Sequence, residues 1–262
     1  MRSMTTVVRT PKVSARLGKS VAGTPHIIGA GFNAKHFSAQ MFGGRMDPLL
    51  MVDHFVMTAP TFEPHLHAGI SAVTAMFEDS QGAFLNRDTL GHNIALKAGD
   101  LYWLTAASGA AHEETPAEGA RIHALQIFVN LPKHLKSEPP RSLRVSAEDV
   151  PVLEGQGYRV RIVLGRSGIS IGAADTPEEM TLLDGFLQQS GRFSHRLPSG
   201  RAAWIYAVAG RVTISVDEEK RTLETGRATT VQAGAEIDIV LEPGEPSHFV
   251  LMAARPLGKP LI

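Results

Sequence analysis

Short apolar runs separated by polar gaps dominate this chain. "ISAVTAMF" (70–77), "LYWLTAA" (101–107) and "IHALQIFVNL" (122–131) all have strand character. "RVTISV" (211–216) puts Val212, Ile214 and Val216 on one face, as a half-buried strand does. "AAWIYAVAG" (202–210) alternates Trp204, Tyr206 and Val208 in the same way. Glycine turn signals recur between the runs, at Gly43-Gly44, Gly69, Gly82, Gly91, Gly99, Gly109 and Gly119. Many short strands at even spacing, with few long helical patterns, predict an all-β sandwich or barrel.

The pattern occurs twice. A strand-like run leads into Gly99-Asp100 in the first half and Gly234-Ala235 in the second, and another run follows each. Between the halves lies "LPKHLKSEPPRS" (131–142), with the proline and charge of a linker. We therefore expect an N-terminal arm (1–27), a first β unit (28–140) and a second (141–262). "DTPEEMTLLDGFL" (175–187) opens like a helix, with Pro177 after Thr176 and then two acids. Gly185 and Gly191 follow too soon for a helix, so the expectation is a short turn leading into a strand.

Composition narrows the function. The 26 basic and 26 acidic side chains cancel, which gives no overall attraction to nucleic acid or acidic membranes. No basic run is interleaved with aromatics, and no apolar run approaches the ~18 residues of a membrane-spanning helix. Cysteine is absent. That excludes disulfides, thiolate metal sites and cysteine nucleophiles, and fits a cytoplasmic location. The first acid is Asp47, after Arg2, Arg9, Lys12, Arg16, Lys19, Lys35 and Arg45. Pro11, Gly18 and Gly23 to Pro25 spoil an amphipathic transit helix, so an ordered basic arm is the expectation. No phosphate-binding loop, dinucleotide fingerprint or nucleophile elbow is present.

The chemistry lies in the histidines. In "FEPHLHAGISAV" (62–73), His65 and His67 are two residues apart, so on a strand both imidazoles face one side. "GAAHEETP" (109–116) repeats the spacing with His112 and Glu114, although Glu113 could be the inward acid instead. Two such pairs facing one cavity would make three imidazoles and a carboxylate, a set suited to iron, zinc, copper or nickel. Four protein ligands on an octahedral ion leave two positions for substrate or O2. His54 and His123 sit in apolar strand context, as second-sphere or core residues. His26, His36, His92 and His134 have no partner visible in sequence. The second unit has only His195 and His248, without the paired spacing, and no metal is expected there.

These residues together resemble the pirin family of bicupins. "DPLLMVDHF" (47–55) resembles the family's opening signature and "PHLHAG" (64–69) its first ligand motif. "KAGDLYWLTAASGAAHEETP" (97–116) is similar to the second ligand motif, and "HALQIFVNLPKHLKSEPP" (123–140) to the close of the first unit. The resemblance implies two face-to-face jelly-roll β-barrels with short helices. It also implies one divalent ion in the first barrel, on His65, His67, His112 and Glu114, which selects Glu114 over Glu113. The ion implied is Fe(II) first, with Mn, Co, Ni, Cu or Zn as alternatives.

Some family members are quercetin 2,3-dioxygenases, and others are regulators that bind a protein partner. The first activity implies a flavonol-like or enol substrate and O2, with Glu114 as catalytic base. The second implies a metal- or redox-sensing protein without turnover. Ala68, Ile70, Ser71 and Ala72 depart from the basic and Phe-Glu-Thr-like residues that usually follow the histidine pair, and "AASGA" (106–110) departs from the usual glycine-rich turn. The expected protein is a monomer with a small aromatic or enol substrate, O2 and possible protein partners, and with no direct contact to nucleic acid or membrane.

Overall fold

The computed structural model describes residues 16–258 other than Glu178. The first fifteen residues of the expected basic arm lie outside this range. Two antiparallel β units are arranged in sequence, each with a seven-stranded and a four-stranded sheet. In the first unit the large sheet runs Arg141–Val145, Leu101–Thr105, Ile70–Met76, Ile122–Asn130, Leu49–Met57, Phe32–Ser38, Thr24–Ile28. The small sheet facing it runs His65–His67, Ala110–Pro116, Phe84–Asp88, Asn93–Leu96. The second unit repeats this plan, with Ala202–Ala209, Ser247–Ala254 and Met180–Leu187 central in its large sheet. The bend at Thr176 and Pro177 precedes the strand Met180–Leu187; Gly185 sits within that strand, against the ring of Phe249.

The burial patterns follow from this layering. Central strands of the large sheets, such as Ile70–Met76, Leu101–Thr105 and Ser247–Ala254, have cover on both faces and so read as continuous apolar runs rather than alternating ones. All eight residues of Ser247–Ala254 are buried. Strands of the small sheets have one wet face and alternate, as Ala110–Pro116 does with Ala110, His112, Glu114 and Pro116 turned inward. The two large sheets share an interface core that contains Phe37, Val52, Trp103, Trp204, Tyr206 and Met252. The rings of Phe37, Trp204 and Tyr206 lie 5.2–5.5 Å apart. Each such ring buried stabilises the pairing by roughly 1.5–3 kcal/mol.

Polar contacts hold the same interface in register. The Arg159 guanidinium grips Glu78 through two bonds of 2.6 and 2.9 Å. Arg161, buried, donates to the Gly99 carbonyl at 2.6 Å and to Asp184 at 3.1 Å. Segments at the unit ends cross over. Val21–Ala22 pairs with Arg227–Gln232 of the second unit, and Leu17 is buried in that unit's core. The backbone N–H groups of Arg16 and Leu17 donate to the Glu219 carboxylate. Arg141–Val145, after the linker, pairs with Leu101–Thr105 of the first unit. No helix of the described residues is long and apolar enough to cross a membrane.

Candidate metal centre

The two histidine motifs meet inside the first barrel. The short strand His65–His67 pairs antiparallel with Ala110–Pro116, with His67 opposite Ala110 and His65 opposite His112. Two glycines make this pairing fit. Gly69 turns at φ +71°, and its N–H donates to the Ala107 carbonyl at 2.7 Å. Gly109, at φ +146°, passes beside Leu66, with Leu66 Cδ1 3.8 Å from where its Cβ would stand. A side chain at either position would strain the turn. The period of two does the rest: His65 and His67 face inward while Leu66 is 70% exposed.

One donor atom from each of His65, His67 and His112 falls within 4.8 Å of the others. His67 Nε2 and His112 Nε2 are 3.1 Å apart. Two nitrogens each ~2.1 Å from one ion and at right angles to it would be ~3.0 Å apart, so the spacing fits cis ligands. The Nδ1–H of His65 donates to the Glu63 carbonyl at 2.9 Å, which leaves the lone pair on Nε2. Burial and then the neighbouring His65 imidazole lower His67 to about 4. Burial, then His67 and His65, lower His112 to about 3, against an opposing pull from Asp88. At neutral pH both rings are uncharged, the form in which imidazole binds metal. His112 Nδ1 is buried with no hydrogen-bond partner. The donor set therefore fits a divalent ion.

Glu114 lines the same cavity, but its carboxylate is not among those three donors. It reaches instead to the Thr74 hydroxyl, 2.5 Å from Glu114 Oε1. The same hydroxyl is 3.0 Å from Gln126 Oε1. One hydroxyl proton cannot serve both acceptors fully. Burial raises Glu114 to about 7, so the protonated form is well populated at neutrality. Donation from Thr74 to Glu114 favours the carboxylate and so works against the effect of burial. Asn86, opposite Glu114 in the ladder, is fully buried with neither amide atom bonded.

These groups open on a cavity of about 200 Å³. Phe32, Phe55, Met57, Phe62, Phe84 and Phe128 form apolar walls, and His65, His112, Glu114, Gln126, Asp53 and His26 supply the polar positions. Phe128 meets the His67 ring edge-on, with centroids 5.1 Å apart. A larger open groove crosses the outer sheet of the second unit, and most of its charges pair within it, Arg196 with Asp238 and Glu236 and Arg192 with Glu242, while Asp217 pairs with Arg16.

Seven of the remaining histidines make contacts that the sequence did not identify. His54 Nδ1 lies 2.6 Å from the Tyr206 hydroxyl of the second unit, and His54 Nε2 2.6 Å from His123 Nε2. His123 Nδ1 is 2.6 Å from Asp79. These two are interface residues satisfied by hydrogen bonds, on the opposite face of the sheet from the cavity. His248 bonds Asp184 at 2.5 Å, and His195 Nδ1 lies 3.1 Å from Ser167 Oγ in the second barrel. His92 pairs with Asp88, which also accepts from Tyr102. His26 and His36 converge on Asp53. The sequence carried no sign of the His26, His36 and Asp53 grouping, because it depends on the register of three neighbouring strands.

Two antiparallel jelly-roll barrels packed through their large sheets, with a histidine cluster inside the first, define a bicupin. A family model described as Pirin matches residues 22–129. Rat Pirin is 30% identical over 218 residues, 83% of this chain and 74% of that protein. A Pseudomonas aeruginosa protein named provisionally as a quercetin 2,3-dioxygenase is 32% identical over 253 residues, 92% of this chain and 86% of that protein. The crystal structure of an Acinetobacter baumannii quercetin 2,3-dioxygenase superposes with a TM-score of 0.80 at 26% identity, covering 93% of this chain and 88% of that one. The chain belongs to the pirin family.

Proposed function

We propose that this protein is a mononuclear non-haem metal dioxygenase of the quercetin 2,3-dioxygenase type, acting on a flavonol-like or enol substrate. One observation carries the reading. Three imidazoles share one end of an apolar cavity with a buried carboxylate whose pKa lies near neutrality. His65, His67 and His112 would hold the ion, Fe(II) first, with Glu114 within the same cavity. A divalent ion there supplies Lewis acidity toward a substrate oxygen and a route for electrons to O2.

The chain's own residues do the rest. Glu114, deprotonated, accepts the substrate's hydroxyl proton, and a base near pKa 7 suits that task at neutral pH. Thr74 and Gln126 fix the carboxyl's direction through their hydrogen bonds. The Glu63 carbonyl fixes the His65 ring. Phe32, Phe62 and Phe128 hold a flat substrate and keep water from it. The cavity is smaller than the ~300–1,000 Å³ typical of sites for drug-sized ligands. That favours a compact enol, or a flavonol whose outer ring projects past the mouth.

The test is O2 uptake by protein stripped of metal and reloaded with Fe(II), offered quercetin and smaller enediols in parallel. We expect metal-dependent uptake. Absence of uptake with every flavonol and enol would overturn the proposal. Leu66 supports an alternative: an exposed leucine between two ligands could pass the state of the ion to a protein partner without turnover. A partner affinity that changes between ferrous and ferric protein, with no O2 consumed, would favour that alternative.

A further inference from the structure

Three strands at the open edge of the first unit's large sheet bring His26, His36 and Asp53 together on its inner face. In the ladder Thr24 stands opposite His36, and His36 opposite Asp53. His26 lies two residues along from Thr24, hence on the same face and diagonal to His36, with ring centroids 6.1 Å apart. The two imidazoles take one carboxylate oxygen each: His36 Nδ1 is 2.7 Å from Asp53 Oδ1, and His26 Nδ1 is 3.7 Å from Oδ2. One donor atom from each residue falls within 4.8 Å of the other two.

Asp53 is 6% exposed, and among the described residues no lysine or arginine forms an ion pair with it. A carboxylate taken out of water needs positive charge nearby. Two imidazole nitrogens and one carboxylate oxygen make a donor set for a first-row divalent ion, with positions left open for water or ligand. We infer that His26, His36 and Asp53 form a second divalent-cation site, separate from the three-histidine cluster and at the mouth of the same cavity. His26 and Asp53 line that cavity together with His65, His112 and Glu114.

Binding exchanges the imidazole–carboxylate contacts for contacts to the ion. His26 makes the larger move. Its side chain is 44% exposed and sits on the sheet's last strand, which pairs only with Phe32–Ser38, so it has room to turn inward. The bound ion ties this edge strand to Leu49–Met57 across the strand between them. It also places positive charge where an oxygen of a cavity-bound substrate would emerge.

The site stands independently of the proposed activity and is tested with zinc alone. Full-length protein, stripped with a chelator, is titrated with ZnCl2, and bound zinc is counted after gel filtration. Wild type should bind two ions per chain, and Asp53→Asn and His26→Ala one each. His67→Ala should keep the ion that depends on Asp53. Zinc should also slow amide exchange across Thr24–Ile28 in wild type but not in His26→Ala. His26 is half exposed, so its variant decides the matter if Asp53→Asn folds poorly. If the three-histidine cluster binds nothing, wild type holds one ion, which His26→Ala removes and His67→Ala leaves. Equal zinc in wild type, Asp53→Asn and His26→Ala would overturn the inference.

Discussion

Inside the second barrel Val160, Ile162, Leu183, Phe193, Ile205, Ile214, Ile239 and Phe249 close on one another. The matching space in the first barrel is divided between apolar walls and His65, His67, His112, Glu114, Thr74 and Gln126. Sheet order and strand count are alike in the two. A barrel built from the same ladder is thus a core or a site according to a handful of inward positions. Polar groups at those positions lose hydration without full replacement, which is why His67, His112 and Glu114 are all pushed toward their uncharged forms. In the second barrel His195 is affected in the same way, lowered to about 4 by burial and then by the charge of Arg201.

The largest effect that would break this contrast is loss of the first barrel's ion. His112→Ala should weaken metal binding there by more than the ~10–100-fold that loss of a second-sphere partner costs. Competition against a chelator of known affinity reads this directly. Glu114→Gln should leave the three-histidine ion in place while slowing turnover by ~10²–10⁴-fold, the usual contribution of a general base. Metal analysis and O2 uptake on one sample separate the two effects. In the second barrel Phe249→Ala should cost about 3–5 kcal/mol in urea unfolding while leaving metal content unchanged. Phe128→Ala should cost less, because one side of that ring already faces the cavity.

The pH dependence sharpens the comparison further. The folded protein keeps His195 neutral down to about pH 4, while the unfolded chain protonates it near 6.5. Between those values the unfolded state binds the extra proton, so stability falls as pH drops, by up to ~1.4 kcal/mol per unit for this group. His195→Gln should reduce, without abolishing, the difference in unfolding free energy between pH 7 and pH 4.5, because His67 and His112 contribute with the same sign. Leu66→Ser should have the smallest effect, within about 0.5 kcal/mol and with metal content unchanged, since the side chain is 70% exposed.

Much of this was legible because strands impose a period of two. That period pairs His65 with His67 and His112 with Glu114; the choice of Glu114 over Glu113 came from the family resemblance, and the burial of the strand agrees with it. It also shows the β character of both halves. What the chain could not display is pairing. His26, His36 and Asp53 lie on three strands, and their meeting depends on a register that no local pattern announces. For the same reason His54 and His123 could be placed only as second-sphere or core residues, while their partners are Tyr206 and Asp79. Thr74, which donates to Glu114, is with Ser71 one of two polar residues in the apolar run "ISAVTAMF", a weak sign of an inward polar position.

The central claim is that the first barrel, through His65, His67 and His112, holds an ion that the chemistry needs. The most direct measurement is metal content by mass spectrometry on wild type and His67→Ala, both purified without added metal, with O2 uptake on quercetin read from the same samples. Wild type should carry one more ion per chain than His67→Ala, and only wild type should consume O2. Equal metal in the two proteins would contradict the claim.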